Sequence, residues 1–147
     1  MTKAVLTGLS EDELDVLVSV AIQRAEILDE ADSPAAPDAW HEVMLYEEQL
    51  AAITSPAAVA GGVARVGAVR AALSAGRRAE AVRLSAQYLR EASLPQGRQL
   101  AFQTAFDEDD ERRASRFPIL AKIGLLRELD AWRAAMSKQT RVFPQSA

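Results

Sequence analysis

The chain has 147 residues, 49% of them hydrophobic and 26% charged, with no cysteine, one histidine and a formal net charge of −4. The lack of cysteine removes thiol nucleophiles, disulfide frameworks, iron–sulfur clusters and cysteine-based zinc sites, and the acidic balance argues against a protein whose main work is neutralising phosphates. Alanine supplies 29 residues and β-branched runs are few, which favours closely approaching helices over strands.

At this length one domain is expected, burying roughly 70% of the surface its unfolded chain exposes. Arginine outnumbers lysine 14 to 3, which with the alanine bias fits a GC-rich bacterial coding sequence. Residues 1–10 hold too short an apolar stretch for a signal peptide. The longest uncharged run, 49–64, is shorter than the ~20 apolar residues of a membrane span and is broken by Thr54-Ser55-Pro56 and Gly61-Gly62. The expected location is therefore the cytoplasm, with no membrane partner.

Along the chain, Ser10 followed by Glu13 is a capping box, and Leu14, Leu17, Val18, Ala21, Ala25 and Leu28 recur behind it at helical spacing, predicting a first helix over 11–30. Pro34 and Pro37 interrupt, and Asp38 is placed to cap a second helix over 39–53 with Trp40, Val43, Met44, Leu50 and Ile53 on one side. Ser55-Pro56 reads as N-cap and first-turn proline of a third helix ending at Ala75-Gly76. Its apolar side is expected to be Val59, Val63, Val66, Val69 and Leu73. A separate stripe of Ala60, Ala64, Ala68 and Ala72, with Gly61 and Gly67 nearby, has no bulk, so another backbone can come close and this helix should sit centrally. A fourth helix, 77–92, should turn Ala81, Val82, Ser85, Ala86 and Leu89 inward and form a tight hairpin with the third. A fifth, 98–107, carries Leu100, Phe102, Ala105 and Phe106; the acidic run 107–111 beyond it reads as a solvated turn or a polar helical extension. The last helix, 118–137, has Ile119, Leu120, Ile123, Leu125, Leu126, Leu129, Trp132 and Met136 over more than half its circumference, which predicts burial on more than one side. The expectation is thus a single all-α domain of five to six helices packed as a bundle, 1–147, with its core over about 10–137 and a tail at 138–147.

Chemistry-bearing patterns are scarce. His41 lies near Asp38, Glu42, Glu47 and Glu48, but no Glu-x-x-His pairing on two helices exists to build a di-iron bundle, so it reads as a surface or capping-turn histidine. Gly61, Gly62 and Gly67 fall inside a helix rather than in a strand-to-helix loop, so they match neither a phosphate loop nor a dinucleotide fingerprint. No Gly-x-Ser-x-Gly elbow occurs, and the acidic run lacks the ligand alternation of an EF-hand. No catalytic, cofactor or metal set is predicted.

Charge is distributed unevenly. Residues 10–50 hold twelve acids and one base, whereas 51–106 hold seven arginines and two acids. The plain reading is that the hairpin arginines complement the first two helices; the functional ones are an acidic partner or nucleic acid. The segment from Ala72 through the Ala75-Gly76 turn to Leu89 resembles the second half of a tetratricopeptide unit over about 20 residues. Arg65, Ala68 and Ala72 depart from that family's first half, and no second copy follows at a 34-residue period, so the resemblance implies helix-hairpin geometry alone.

The leading expectation is a non-enzymatic protein-interaction or regulatory module, binding another protein or itself as a homodimer. Its candidate contact residues are Arg70, Arg77, Arg78, Arg83 and Arg90 on the hairpin and Leu125, Leu129 and Trp132 on the last helix. A nucleic-acid-binding regulator using the 77–90 helix is the second, and an enzyme or small-molecule binder with a helical pocket the third.

Overall fold

A computed structural model describes residues 8–91, 95, 97–116 and 128–136. Five helices follow in order, α1 (Glu11–Glu30), α2 (Ala36–Ala52), α3 (Val59–Ser74), α4 (Arg78–Leu89) and α5 (Arg98–Arg116), and residues 128–136 are helical as well. No strand occurs among the described residues, and the chain is an all-α bundle. The capping box opens α1: Ser10 Oγ accepts from the Glu13 amide at 3.1 Å while the Ser10 amide donates to Glu13 Oε1 at 2.9 Å. Those bonds hold the Glu13 carboxyl below its ordinary pKa.

Two predicted starts are corrected. Helix α2 begins at Ala36, ahead of the expected 39, because Pro37 falls in the first turn, where its missing N–H would have had no intrahelical acceptor. Asp38 therefore lies within that turn instead of capping it. Helix α3 begins at Val59 rather than after Ser55: Ser55 accepts from the amides of Ala57 and Ala58 in a turn that precedes the helix.

The buried face of α3 is also corrected. Val69 and Leu73 are buried as expected, but Val59 and Val63, expected inside, are 85% and 64% exposed, while Ala64, Ala68 and Ala72 of the small-residue stripe are fully buried and Ala60 is exposed. The cause is position. Helix α3 packs against α2, α4 and α5, and the small residues let these neighbours approach its axis closely. A Cβ at Gly61 would overlap the Ser55 carbonyl oxygen, one at Gly62 the Arg98 guanidinium, and one at Gly67 the Glu47 carboxylate. The hairpin closes as expected: Gly76, at φ 74°, donates its amide to the Leu73 carbonyl at 3.0 Å, and the Arg77 amide reaches the Ala72 carbonyl at 2.9 Å.

Arg65 of α3 is 3% exposed and holds three element ends together. Its guanidinium donates to both Glu91 carboxylate oxygens at 2.6 and 2.9 Å and to the carbonyls of Thr54 and Gly61 at 3.1 and 3.0 Å. It also lies 5.6 Å from the centre of the Tyr88 ring. Thus α2, α3 and α4 meet on one buried cation whose charge and donors are satisfied.

The acidic run is a helical extension, since α5 continues unbroken to Arg116. It is only partly solvated: Asp109 is 2% exposed, and Asp109 and Asp110 both pair with Arg78 of α4. Within 128–136, Leu129 is buried and the Trp132 ring stacks on Phe106 with centroids 5.0 Å apart. The rest of the predicted last helix, 118–127 and 137, and the tail at 138–147 lie outside the described residues.

Candidate functional site

The candidate contact residues are dispersed by the fold. Arg78 is half-buried against Asp109 and Asp110, with its guanidinium carbon 4.6 Å from the centre of the half-buried Trp132 ring, so these two candidates meet each other. Arg70 pairs with Glu108 at 3.0 Å, Arg77 with Glu80 at 3.5 Å, and Arg83 with Glu48 at 3.9 Å. Arg90 is exposed and Leu129 buried, and Leu125 lies outside the described residues. The arginines of the 51–106 segment do find acids, yet mainly on α5 and at the end of α4 rather than on the first two helices. His41 Nε2 stands 3.8 Å from Glu80 Oε2 and joins α2 to α4. No group of three His, Asp or Glu side chains among the described residues is placed to hold a metal ion.

One concave feature with convergent polar groups is a half-open cavity of about 320 Å3, which α3 shares with α1, α2 and α5. Ile22 comes from α1; Trp40, Val43 and Glu47 from α2; Val63, Gly67, Arg70, Ala71, Leu73 and Ser74 from α3; and Ala105, Glu108 and Arg112 from α5. The local sequence explains the shape. Trp40, Val43 and Glu47 recur at three- and four-residue steps on one face of α2, and opposite them Gly67 and Ala71 leave α3 without side-chain bulk.

Glu47 is the unusual member. Its side chain belongs to a residue only 4% exposed, and no hydrogen bond or ion pair reaches it among the described residues. Burial, with the negative charge of Asp15 as a smaller cause, pushes its carboxyl up to about 8. At neutral pH it is therefore mostly an uncharged acid able to donate one hydrogen bond. Trp40 Nε1 is buried and has no hydrogen-bond partner among the described residues. That enclosed N–H lies beside the cavity rather than in it, and a buried polar group without a partner costs about 1–3 kcal/mol. Arg70, paired to Glu108, and Arg112, paired to Asp109 at 2.7 Å, complete the lining.

The sequence pointed to Glu47 solely as one of the acids near His41. The signal lay in its register: it falls three residues beyond Met44 and three before Leu50, on the apolar stripe of α2. Compared with models of protein families, with curated proteins and with solved structures, the chain matches none.

Proposed function

We propose that the protein is a non-enzymatic regulatory binding module that takes a small, largely apolar molecule in the groove on α3. The observation that carries this reading is the Glu47 carboxyl, which has no hydrogen bond or ion pair among the described residues and lines a mostly apolar cavity of about 320 Å3. Ligand sites are typically ~300–1,000 Å3, predominantly apolar, with a few polar groups that fix orientation. Binding is preferred over catalysis because a single buried acid converges there, while Arg70 and Glu108 are tied to each other. Val63 lines the cavity and is itself mostly exposed, so Val63→Trp obstructs the groove without disturbing the core. In a fragment screen by NMR, compounds should shift the Trp40 indole and Gly67 and Ala71 amide resonances of the parent protein but not of the variant. A screen with no such compound overturns the reading.

A second reading, contact with another copy of the chain, is favoured by a separate observation: Val16, Val20 and Ile27 are exposed along one face of α1. The nucleic-acid alternative has less support, because Arg77, Arg78 and Arg83 are all engaged by acids.

A further inference from the structure

Glu47 and its surroundings limit which molecule the groove would take. An ionised carboxylate in an apolar site is strongly penalised unless a positive charge accompanies it. The charged groups around Glu47 are Asp15 of α1, Arg70 of α3, and Glu108 and Arg112 of α5. Both arginines already hold acids, Glu108 and Asp109, and neither forms an ion pair with Glu47. The cavity is thus lined by an acid without a counter-ion among the described residues and, from the same helix, by an aromatic side chain. Gly67 lets the carboxyl lie against the backbone of α3, where a methyl group would displace it.

We propose that the groove takes an organic cation, an ammonium group on an apolar body, with Glu47 as its counter-charge and the Trp40 ring as part of its wall. This rests on the groove being a ligand site at all. The cation supplies the charge that Glu47 lacks, and an aromatic ring beside it adds an attraction for positive charge. Because the empty site holds the carboxyl protonated, binding a permanent cation expels one proton to solvent. Affinity should then rise about tenfold per pH unit below pH ~8 and level off above it.

The test uses acetylcholine as a cation with an ester oxygen, 3,3-dimethylbutyl acetate as its uncharged isostere, and hexanoate as an anion. Calorimetry in buffers of different ionisation enthalpy reads affinity and proton release, and the Trp40 indole resonance reports location. Expected are at least about tenfold tighter binding of acetylcholine than of the isostere near pH 8, release of about one proton near pH 6.5, and loss of both the preference and the pH slope in Glu47→Gln. Glu47→Gln preserves shape and leaves no charge to bury, so it should fold. Equal binding of the isostere at Trp40 overturns the cation assignment and leaves the ligand site standing. Tighter binding of hexanoate overturns the assignment in favour of the arginines. Failure of all three probes to move the Trp40 resonance overturns the assignment, and the fragment screen then decides separately whether the groove is a site.

Discussion

At the scale of single residues, Glu47 gives the molecule a pH dependence whose sign follows from its environment. In the unfolded chain its carboxyl titrates near 4.5, in the folded protein near 8. Below both values it is protonated in either state and contributes nothing. Between them the folded state retains a proton that the unfolded state has released, so stability falls by at most about 1.4 kcal/mol per pH unit as pH rises, and above about 8 the loss is complete. Glu47→Gln removes this term. Denaturant midpoints of variant and parent should nearly coincide at about pH 5, and the variant should be the more stable by an increasing margin up to about pH 8.5. A difference that stays constant across this range would show that Glu47 titrates as an ordinary surface acid. Gly76 behaves more simply. Nothing lies within 4 Å of a Cβ placed there, so Gly76→Ala meets only the backbone cost of φ 74°, about 1–2 kcal/mol by chemical or thermal unfolding.

Among elements, the contrast between α1 and α3 shows what the sequence made legible. Ser10, Glu13 and the apolar spacing of α1 are local signals, and the helix occupies the expected 11–30. The inward face of α3 is not a local property. Reading bulk as burial favoured Val59 and Val63 along with Val69 and Leu73, whereas the helix has neighbours on three sides and buries Ala64, Ala68 and Ala72 beside the latter two. The acidic run was ambiguous for a related reason: Asp109 and Asp110 are tolerated inside because Arg78, distant in sequence, meets them there. That cluster predicts a large effect. Arg78→Met keeps much of the apolar stem but removes the cation shared by two buried carboxylates, leaving Asp109 to Arg112 at 2.7 Å and Asp110 to Arg133 at 3.9 Å, which should cost up to roughly 3–5 kcal/mol at neutral pH. Adding Asp109→Asn and Asp110→Asn should restore much of the loss. A cost below about 1 kcal/mol would place the cluster in the weak class of solvent-screened pairs.

For the molecule as a whole, the expected contact face and the face that is exposed differ. Leu129 is buried and Trp132 is stacked between Phe106 and Arg78, so the described end of the last helix is engaged in the bundle. On α1 the opposite holds: Val16, Val20 and Ile27 lie at helical spacing on one side and are exposed, while Leu14, Val18, Ala21 and Ala25 pack against the remainder of the core. A stripe of three aliphatic side chains is too narrow for an obligate interface, but it suits reversible pairing of α1 with α1 of a second copy, where a two-fold axis brings the same patch onto itself. Glu11, Asp12, Glu13 and Asp15 crowd the start of this helix, with no base in the first turn, and oppose a parallel arrangement, leaving the antiparallel one. Light scattering should therefore show a monomer at low micromolar protein and a growing dimer fraction at higher concentration, favoured by added salt because screening weakens the acidic repulsion. Since Val20 is exposed, Val20→Glu should abolish the dimer without lowering the melting temperature. A species that stays monomeric at high concentration and salt, with or without that substitution, would remove self-association through α1 and leave the groove on α3 to carry the function alone.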